Sequence, residues 1–356
     1  MSMLDKESLY QGAEIESVIA SLDFLPAQIE QSWAEVDKIS LRFSVKGIEN
    51  IVVAGMGGSA LGGEILKGLE AHLLRKPIEI VRDYSLPGYV DQNSLIILSS
   101  YSGATEEITT IAKETLKKTN KIFIFTTGGN LADFAAKHNL SVYDPTPIFN
   151  PSDLPRLSLG YSLTTLLSLF NKLSLLKMNS RRLRSLISLL VSYRDRYRPS
   201  VPTNGNPAKK LALTLIDRLP VLVGGTHLFG SISAARNMFH ETGKTFAVSY
   251  PLPELNHHLL ESLSFPKDVT RRLTFLLLLS RFDYKAVKQR ARITATVLEK
   301  RNIAFEPINI IGRTPLEEVY WLIQFFGYVT FYLAILYGVD PGRTPWVDYL
   351  KESLKA

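Results

Sequence analysis

Two short stretches carry the residue types that could do chemistry. In "VVAGMGGSALGGEIL", residues 52–66, five glycines and Ser59 stand between two apolar runs. Glycine costs backbone entropy inside regular structure, so this density calls for bare backbone at a tight turn or beside a ligand. In "LSSYSGATEE", residues 98–107, Ser100, Ser102 and Thr105 fall in a short turn ahead of a helical pattern. One hydroxyl before the glutamates is explained by helix capping; three are more than a cap uses. Unpaired N–H groups and the positive end of a helix dipole attract an anion, and hydroxyls add further donors to its oxygens. Gly57 and Gly58 let the backbone come close, and Ser59 adds a hydroxyl. Taken together, the two loops predict a pocket for a single phosphoryl group.

Other phosphate motifs agree less well. Gly55, Gly57 and Ala60 satisfy a permitted variant of the dinucleotide fingerprint, but the acidic residue wanted on the next strand would be Glu79 or Asp83, and neither is decisive. The Gly-Lys-Ser/Thr of a P-loop is absent from the stretch. Gly62 and Gly63 lie deeper in the helical pattern, where close packing is the expected reason for them.

The elements that would position these loops alternate as in a parallel α/β sheet. "NIVVAG" reads as a strand and "SALGGEILKGLEAHLL" as a helix. "IEIVRD", "SLIILSS" and "KIFIFTT" are further strands, with helices from "TEEITTIAKETLKK" and "NLADFAAKH". Nearly continuous apolar strands imply a sheet covered on both faces. Residues 5–37 read as helical. The proline-rich connector 143–156 marks the exit from this unit. Two helices and the loop 198–207 lead to a second unit, where "LPVLVGG", "TRRLTFLLLLS" and "IAFEPINI" are strands, "KTFAVSY" is extended and "SISAARNMFHETG" is a helix stopped by glycine. Because "VLVGGTHLFGSISAARNM" echoes "VVAGMGGSALGGEILKGL", an internal duplication of one α/β unit is expected. The fold class is therefore α/β, two doubly wound subdomains with parallel sheets flanked by helices, divided as residues 1–155 and 156–356.

Composition bounds the function. A chain of 356 residues with 46% apolar and 21% charged residues has ample material for a large core. The net charge of +7 favours an anionic partner. The dense basic run 179–199 interleaves arginines with leucines as the solvated face of a helix or as an anion surface. No nucleic-acid motif accompanies it, so no nucleic-acid partner is expected. Without cysteine the chain has no disulfide or thiolate nucleophile, which suits a reducing cytoplasm. The N-terminus lacks an apolar signal core. Residues 320–339 are uncharged and long enough to span a bilayer, but Gln324, Gly327, Thr330 and scattered tyrosines favour a buried core or subunit-interface helix, so no membrane is expected.

The pairing of "GMGGSALGGE" with "SYSGATEE" closely resembles sugar isomerase (SIS) domains and, among them, the bifunctional phosphoglucose/phosphomannose isomerase family. The resemblance runs to the C-terminus and implies two SIS-type subdomains. It further implies interconversion of glucose 6-phosphate and mannose 6-phosphate with fructose 6-phosphate through a cis-enediol. Such a reaction uses a carboxylate base, a ring-opening acid/base and a cation for the enediolate; it requires no metal or redox cofactor. Glu241 in "ARNMFHETGK" resembles the family's base, although His240 stands where the family usually has Asn. A carboxylate in the last turn of a helix faces the negative end of the dipole. His257 in "PLPELNHHLLESL" matches the ring-opening histidine, which the family donates across a dimer interface, and His258 falls where Asn is common. Arg156 in "LPRLSLGY" resembles the arginine beside the enediolate. In "PGRTPWVDYLK", Lys351 matches a ring-opening lysine, and Thr344 a small hydroxyl residue that leaves room for both epimers. A cytoplasmic homodimer with shared active sites is implied.

A non-catalytic sugar-phosphate sensor is the alternative, since SIS domains also serve in regulation. A sensor would keep the phosphate loops without needing the glutamate, histidine and lysine, so their joint presence favours the enzyme.

Overall fold

The computed structural model describes residues 2–354. Helices α1 (Ala13–Asp23) and α2 (Leu25–Lys38) come first. The first sheet unit follows as β1 (Asn50–Gly55), α3 (Gly57–Gly68), α4 (Glu70–Leu73), β2 (Ile78–Val81), β3 (Ser94–Ser99), α5 (Glu106–Lys118), β4 (Ile122–Phe125), α6 (Gly129–Lys137) and β5 (Ser141–Tyr143). Helices α7 (Leu159–Lys172), α8 (Ser180–Tyr197) and α9 (Pro207–Thr214) connect it to the second unit. That unit runs β6 (Leu219–Gly225), α10 (Phe229–Glu241), β7 (Val248–Leu252), α11 (Leu259–Ser262), α12 (Lys267–Arg272), β8 (Leu273–Leu279), α13 (Lys285–Lys300) and β9 (Ala304–Asn309), and α14 (Pro315–Tyr337) and α15 (Pro345–Ser353) close the chain.

Both sheets are parallel, in the order β2-β1-β3-β4-β5 and β7-β6-β8-β9. The strands alternate their side chains between two apolar layers, as the two-residue period requires. Ile51, Val53, Leu95 and Ile97 face the main core, whereas Val52, Ala54, Ile96 and Leu98 pack on the opposite side against Ile108 and Ile111 of α5. In the second sheet Leu222, Leu276 and Leu278 join the same main core, and Val221, Val223, Phe275 and Leu277 face outward under α13. One helical layer holding α3, α7, α10 and α14 is thus shared by both sheets. Its helices approach closely: a Cβ on Gly230 of α10 would lie 2.4 Å from the Ile65 Cα of α3, and one on Gly62 would lie 3.0 Å from the Ser162 backbone of α7.

Several readings of the sequence are refined. The N-terminal helical region breaks at Gly12 and again at Phe24, and β8 starts only after the short helix α12. Strand β5 has three residues, too few to stand out from the connector that follows it. Among the described residues α14 is the one helix long and apolar enough to cross a membrane, and it runs through the core; Leu322, Phe326, Tyr328 and Phe331 are wholly buried.

Candidate active site

In an open parallel sheet, ligands bind beyond the carboxyl ends of the strands where the order reverses. In the first sheet that point lies between β1 and β3, whose last residues Gly55 and Ser99 are directly paired. The glycine loop and the hydroxyl loop therefore leave the sheet side by side. Ser59 joins them: the Tyr101 N–H donates to its Oγ at 3.0 Å, and the Ser99 hydroxyl donates to its carbonyl at 2.8 Å. The Ser59 hydroxyl proton stays free to donate to a ligand oxygen. Helix α3 starts at Gly57, two residues before the serine, so Ser59 sits in the first turn.

The second loop has the matching geometry. Thr105 is the N-cap residue of α5, yet its hydroxyl makes no capping bond and lies 2.7 Å from the Ser100 Oγ instead. Ser100 is buried and Ser102 is exposed at the turn, where its Oγ accepts from the Ala104 N–H at 3.4 Å. Gly103 makes the turn at φ 65°, and a Cβ there would sit 1.8 Å from the Gly128 carbonyl oxygen, so no other residue fits. Two helix N-termini, α3 and α5, and the hydroxyls of Ser59, Ser100, Ser102 and Thr105 thus share one edge of the sheet.

Arg156 adjoins this edge. A Cβ on Gly58 would lie 3.1 Å from the Pro155 carbonyl and 3.3 Å from the Arg156 nitrogen, so the bare backbone of the glycine loop rests on the turn that presents Arg156. The guanidinium is buried and heavily engaged. Its Nε donates to Thr242 Oγ1 at 3.0 Å, and Nη2 donates to the Pro341 and Gly342 carbonyls at 2.9 and 2.7 Å. Its Nη1 lies 3.4 Å from Oε2 of Glu241, whose side chain is 35% exposed against 3% for Arg156. Burial pulls the Arg156 pKa below the ordinary arginine value, and the Glu241 carboxylate opposes that shift.

Glu241 is the last residue of α10, as its place in the sequence implies. The left-handed residue that turns the chain there is Lys244, at φ 49°, and not Gly243. The Thr245 N–H reaches back to the Phe239 carbonyl at 2.8 Å and closes the end of the helix. Lys244 Nζ donates to the carbonyls of Glu241 and Arg343. Burial, followed by the like charge of Arg156, lowers the pKa of this ammonium below the usual lysine value. Thr242 and Lys244 had no signal in the sequence, because their partners come from 86 and 99 residues away. His240 turns to the Ala247 carbonyl at 2.9 Å and stacks on Phe246.

The remaining candidates lie on other elements. Thr344 is the N-cap residue of α15, two residues beyond Gly342, and Lys351 is exposed on that helix. His257 ends the short turn Glu254–His257 after β7, exposed at the edge of the second sheet, and His258 packs beside Tyr250.

The second sheet has its own reversal point, between β6 and β8, and it is filled. His227 Nε2 lies 3.1 Å from Ser280 Oγ and 3.4 Å from Glu318 Oε2, and its Nδ1 lies 3.6 Å from Asp283 Oδ1. Two buried carboxylates there oppose an anion, so the phosphate-type edge belongs to the first sheet alone. Among the described residues no group of three His, Asp or Glu is arranged to hold a metal ion.

Comparison with known proteins gives the same direction. A bifunctional phosphoglucose/phosphomannose isomerase of Caldicellulosiruptor bescii is 35% identical over 93% of this chain and 96% of its own length. The chain belongs to the bifunctional phosphoglucose/phosphomannose isomerase family. A second member, from Thermoplasma volcanium, is 30% identical over 88% of the chain and 93% of that protein. The family model described as the bacterial phospho-glucose isomerase C-terminal SIS domain matches residues 204–354. Among solved structures, a hypothetical protein from Thermus thermophilus has a TM-score of 0.76 at 18% identity, covering 95% of this chain and 90% of that one. A glucose-6-phosphate isomerase like protein from the same organism has a TM-score of 0.61 at 21% identity, covering 97% and 99%. These two share the fold of this family member.

Proposed function

We propose that the protein is a cytoplasmic aldose–ketose isomerase that interconverts glucose 6-phosphate and mannose 6-phosphate with fructose 6-phosphate. The observation that carries this reading is the seating of the Gly58 backbone on Arg156, which joins the phosphate-type edge to the Arg156–Glu241 pair. The phosphate is held by Ser59, Ser100, Ser102 and Thr105 with the free N–H groups of Gly57 and Gly58, which fixes one end of the open-chain sugar. Glu241 takes the proton from C2, the released electron pair forms the C1–C2 double bond, and O1 is protonated to give the enediol. Returning the proton to C1 while O2 gives up its hydroxyl proton yields the ketose; returning it to the opposite face of C2 while O1 gives up its proton yields the other aldose. Three of the Arg156 nitrogen–acceptor bonds are spent on the protein, so Nη1 is the group left to face charge developing on the sugar oxygens.

Ring opening falls to His257 and Lys351. His257 is exposed on the turn after β7, so a homodimer in which each subunit completes its partner's site is the matching assembly. Helix α15 supports it: Trp346 is 83% exposed, Tyr349 and Leu350 are exposed beside it, and the helix has no buried residue. A bare apolar face of that kind is more stable when covered by another subunit.

The test is a coupled isomerase assay on both aldose phosphates with Glu241→Gln. Turnover is expected to fall by about a hundredfold or more with KM nearly unchanged, since a general base is lost while phosphate binding stays. Full turnover in that variant would refute the proton-shuttle role.

A further inference from the structure

The basic run at the start of α8 plays no part in the reaction above, and it borders a cavity. This cavity, of about 530 Å³, lies where α4, the α7–α8 connection and the start of α14 meet. Lys177, Arg181, Arg182 and Arg313 stand around it, over an apolar floor that includes Leu167, Leu176, Leu316 and Phe282. Among the described residues none of the four cations is in an ion pair. Arg182 Nη1 donates to the Lys177 carbonyl at 3.1 Å, which holds these two residues together. The one carboxylate at the wall, Glu317, is buried and already engaged: it accepts from the Ser185 hydroxyl at 2.8 Å and from the Arg313 N–H at 2.7 Å. His72 also lines the wall, and burial followed by the neighbouring His227 lowers its pKa, so it contributes no fixed charge near neutrality. The first turns of α8 and α14 both line the cavity.

We propose that this cavity is a second ligand site, selective for a small organic anion with an apolar body: the phosphate or carboxylate meets the arginines and the apolar part lies on the leucine and phenylalanine floor. It is separate from the isomerase site. Helix α3 runs from the phosphate loop at Gly57 to Gly68, just ahead of His72 at the cavity wall, a span of about 18 Å at 1.5 Å per residue. The four cations are exposed to solvent at the cavity, where an amphiphilic anion can pair with them while covering the floor. The readout is binding, and only the blocking of the phosphate loops by glucose 6-phosphate rests on the isomerase reading.

Phenyl phosphate is the probe, titrated calorimetrically into the full chain with glucose 6-phosphate at saturation so that the phosphate loops are occupied. Phenyl phosphate should bind at least about tenfold more tightly than inorganic phosphate, because only the former reaches the floor. The double variant Arg181→Glu, Arg313→Glu should weaken it by at least about tenfold, while Arg184→Glu, on the same helix but outside the cavity, should leave it unchanged. Circular dichroism of the double variant establishes that it is folded, and binding of glucose 6-phosphate to it should be unaltered. No binding of phenyl phosphate under saturating substrate, equal affinity for inorganic phosphate, or binding indifferent to the double charge reversal would each overturn the proposal.

Discussion

At the residue scale Arg156 ties together segments far apart in sequence. Its guanidinium holds Thr242, Pro341 and Gly342, so it fixes the end of α10 and the approach to α15 as well as facing Glu241. Replacing it with methionine leaves three buried or half-buried acceptors unpaired, and charge-assisted bonds of this kind are worth about 1.5–3 kcal/mol each before relaxation. Arg156→Met is therefore expected to lose at least about 3 kcal/mol of stability, read from the midpoint of urea unfolding, and to lose turnover besides. An unfolding midpoint equal to wild type would show that the network is not holding these segments. The gathering of the Ser100 and Thr105 hydroxyls was legible in the sequence because they fall within one turn. Lys244 was not, since the expected stop was the glycine beside it. A lysine in the left-handed region costs about 1 kcal/mol, and its two bonds to the Glu241 and Arg343 carbonyls offset that only after the chain has folded.

At the element scale, strand and helix alternation was legible because buried parallel strands such as "SLIILS" are apolar on both faces and the helices between them are amphipathic. What sequence could not show was how tightly α3, α7, α10 and α14 would share one layer; that depends on Gly62 and Gly230 meeting backbones roughly a hundred residues or more away. The same layer carries a titratable joint. Asp23 of α1 accepts from the hydroxyl of Tyr328 in α14 and pairs with Arg198 at 2.9 Å, yet burial raises its pKa above 3.8. A carboxyl raised in the folded state contributes stability that is complete below its unfolded pKa and is lost as pH rises through the folded value. Unfolding free energy measured from pH 4 to pH 7 should thus fall for wild type relative to Asp23→Asn. A difference that is flat with pH, or that grows in favour of wild type, would contradict the raised value.

At the scale of the whole molecule, one chain joins the two N-terminal loops to the Arg156–Glu241 pair, while His257 lies on the turn after β7 and Lys351 on α15. If the partner supplies His257, two inactive variants should complement each other. Mixing Glu241→Gln with His257→Ala through reversible dissociation should restore about one quarter of wild-type activity, since half the dimers are mixed and each has one intact site. Activity that stays at the level of the separate variants would place both residues in the same subunit's site. The central claim, proton transfer at C1 and C2 by Glu241, is tested most directly by proton NMR of mannose 6-phosphate incubated with the protein in deuterium oxide. Fructose 6-phosphate and glucose 6-phosphate should form with solvent deuterium at the carbons that exchange protons, and both conversion and labelling should collapse in Glu241→Gln. Failure of the wild-type protein to form either product, or undiminished conversion and labelling in that variant, would contradict it.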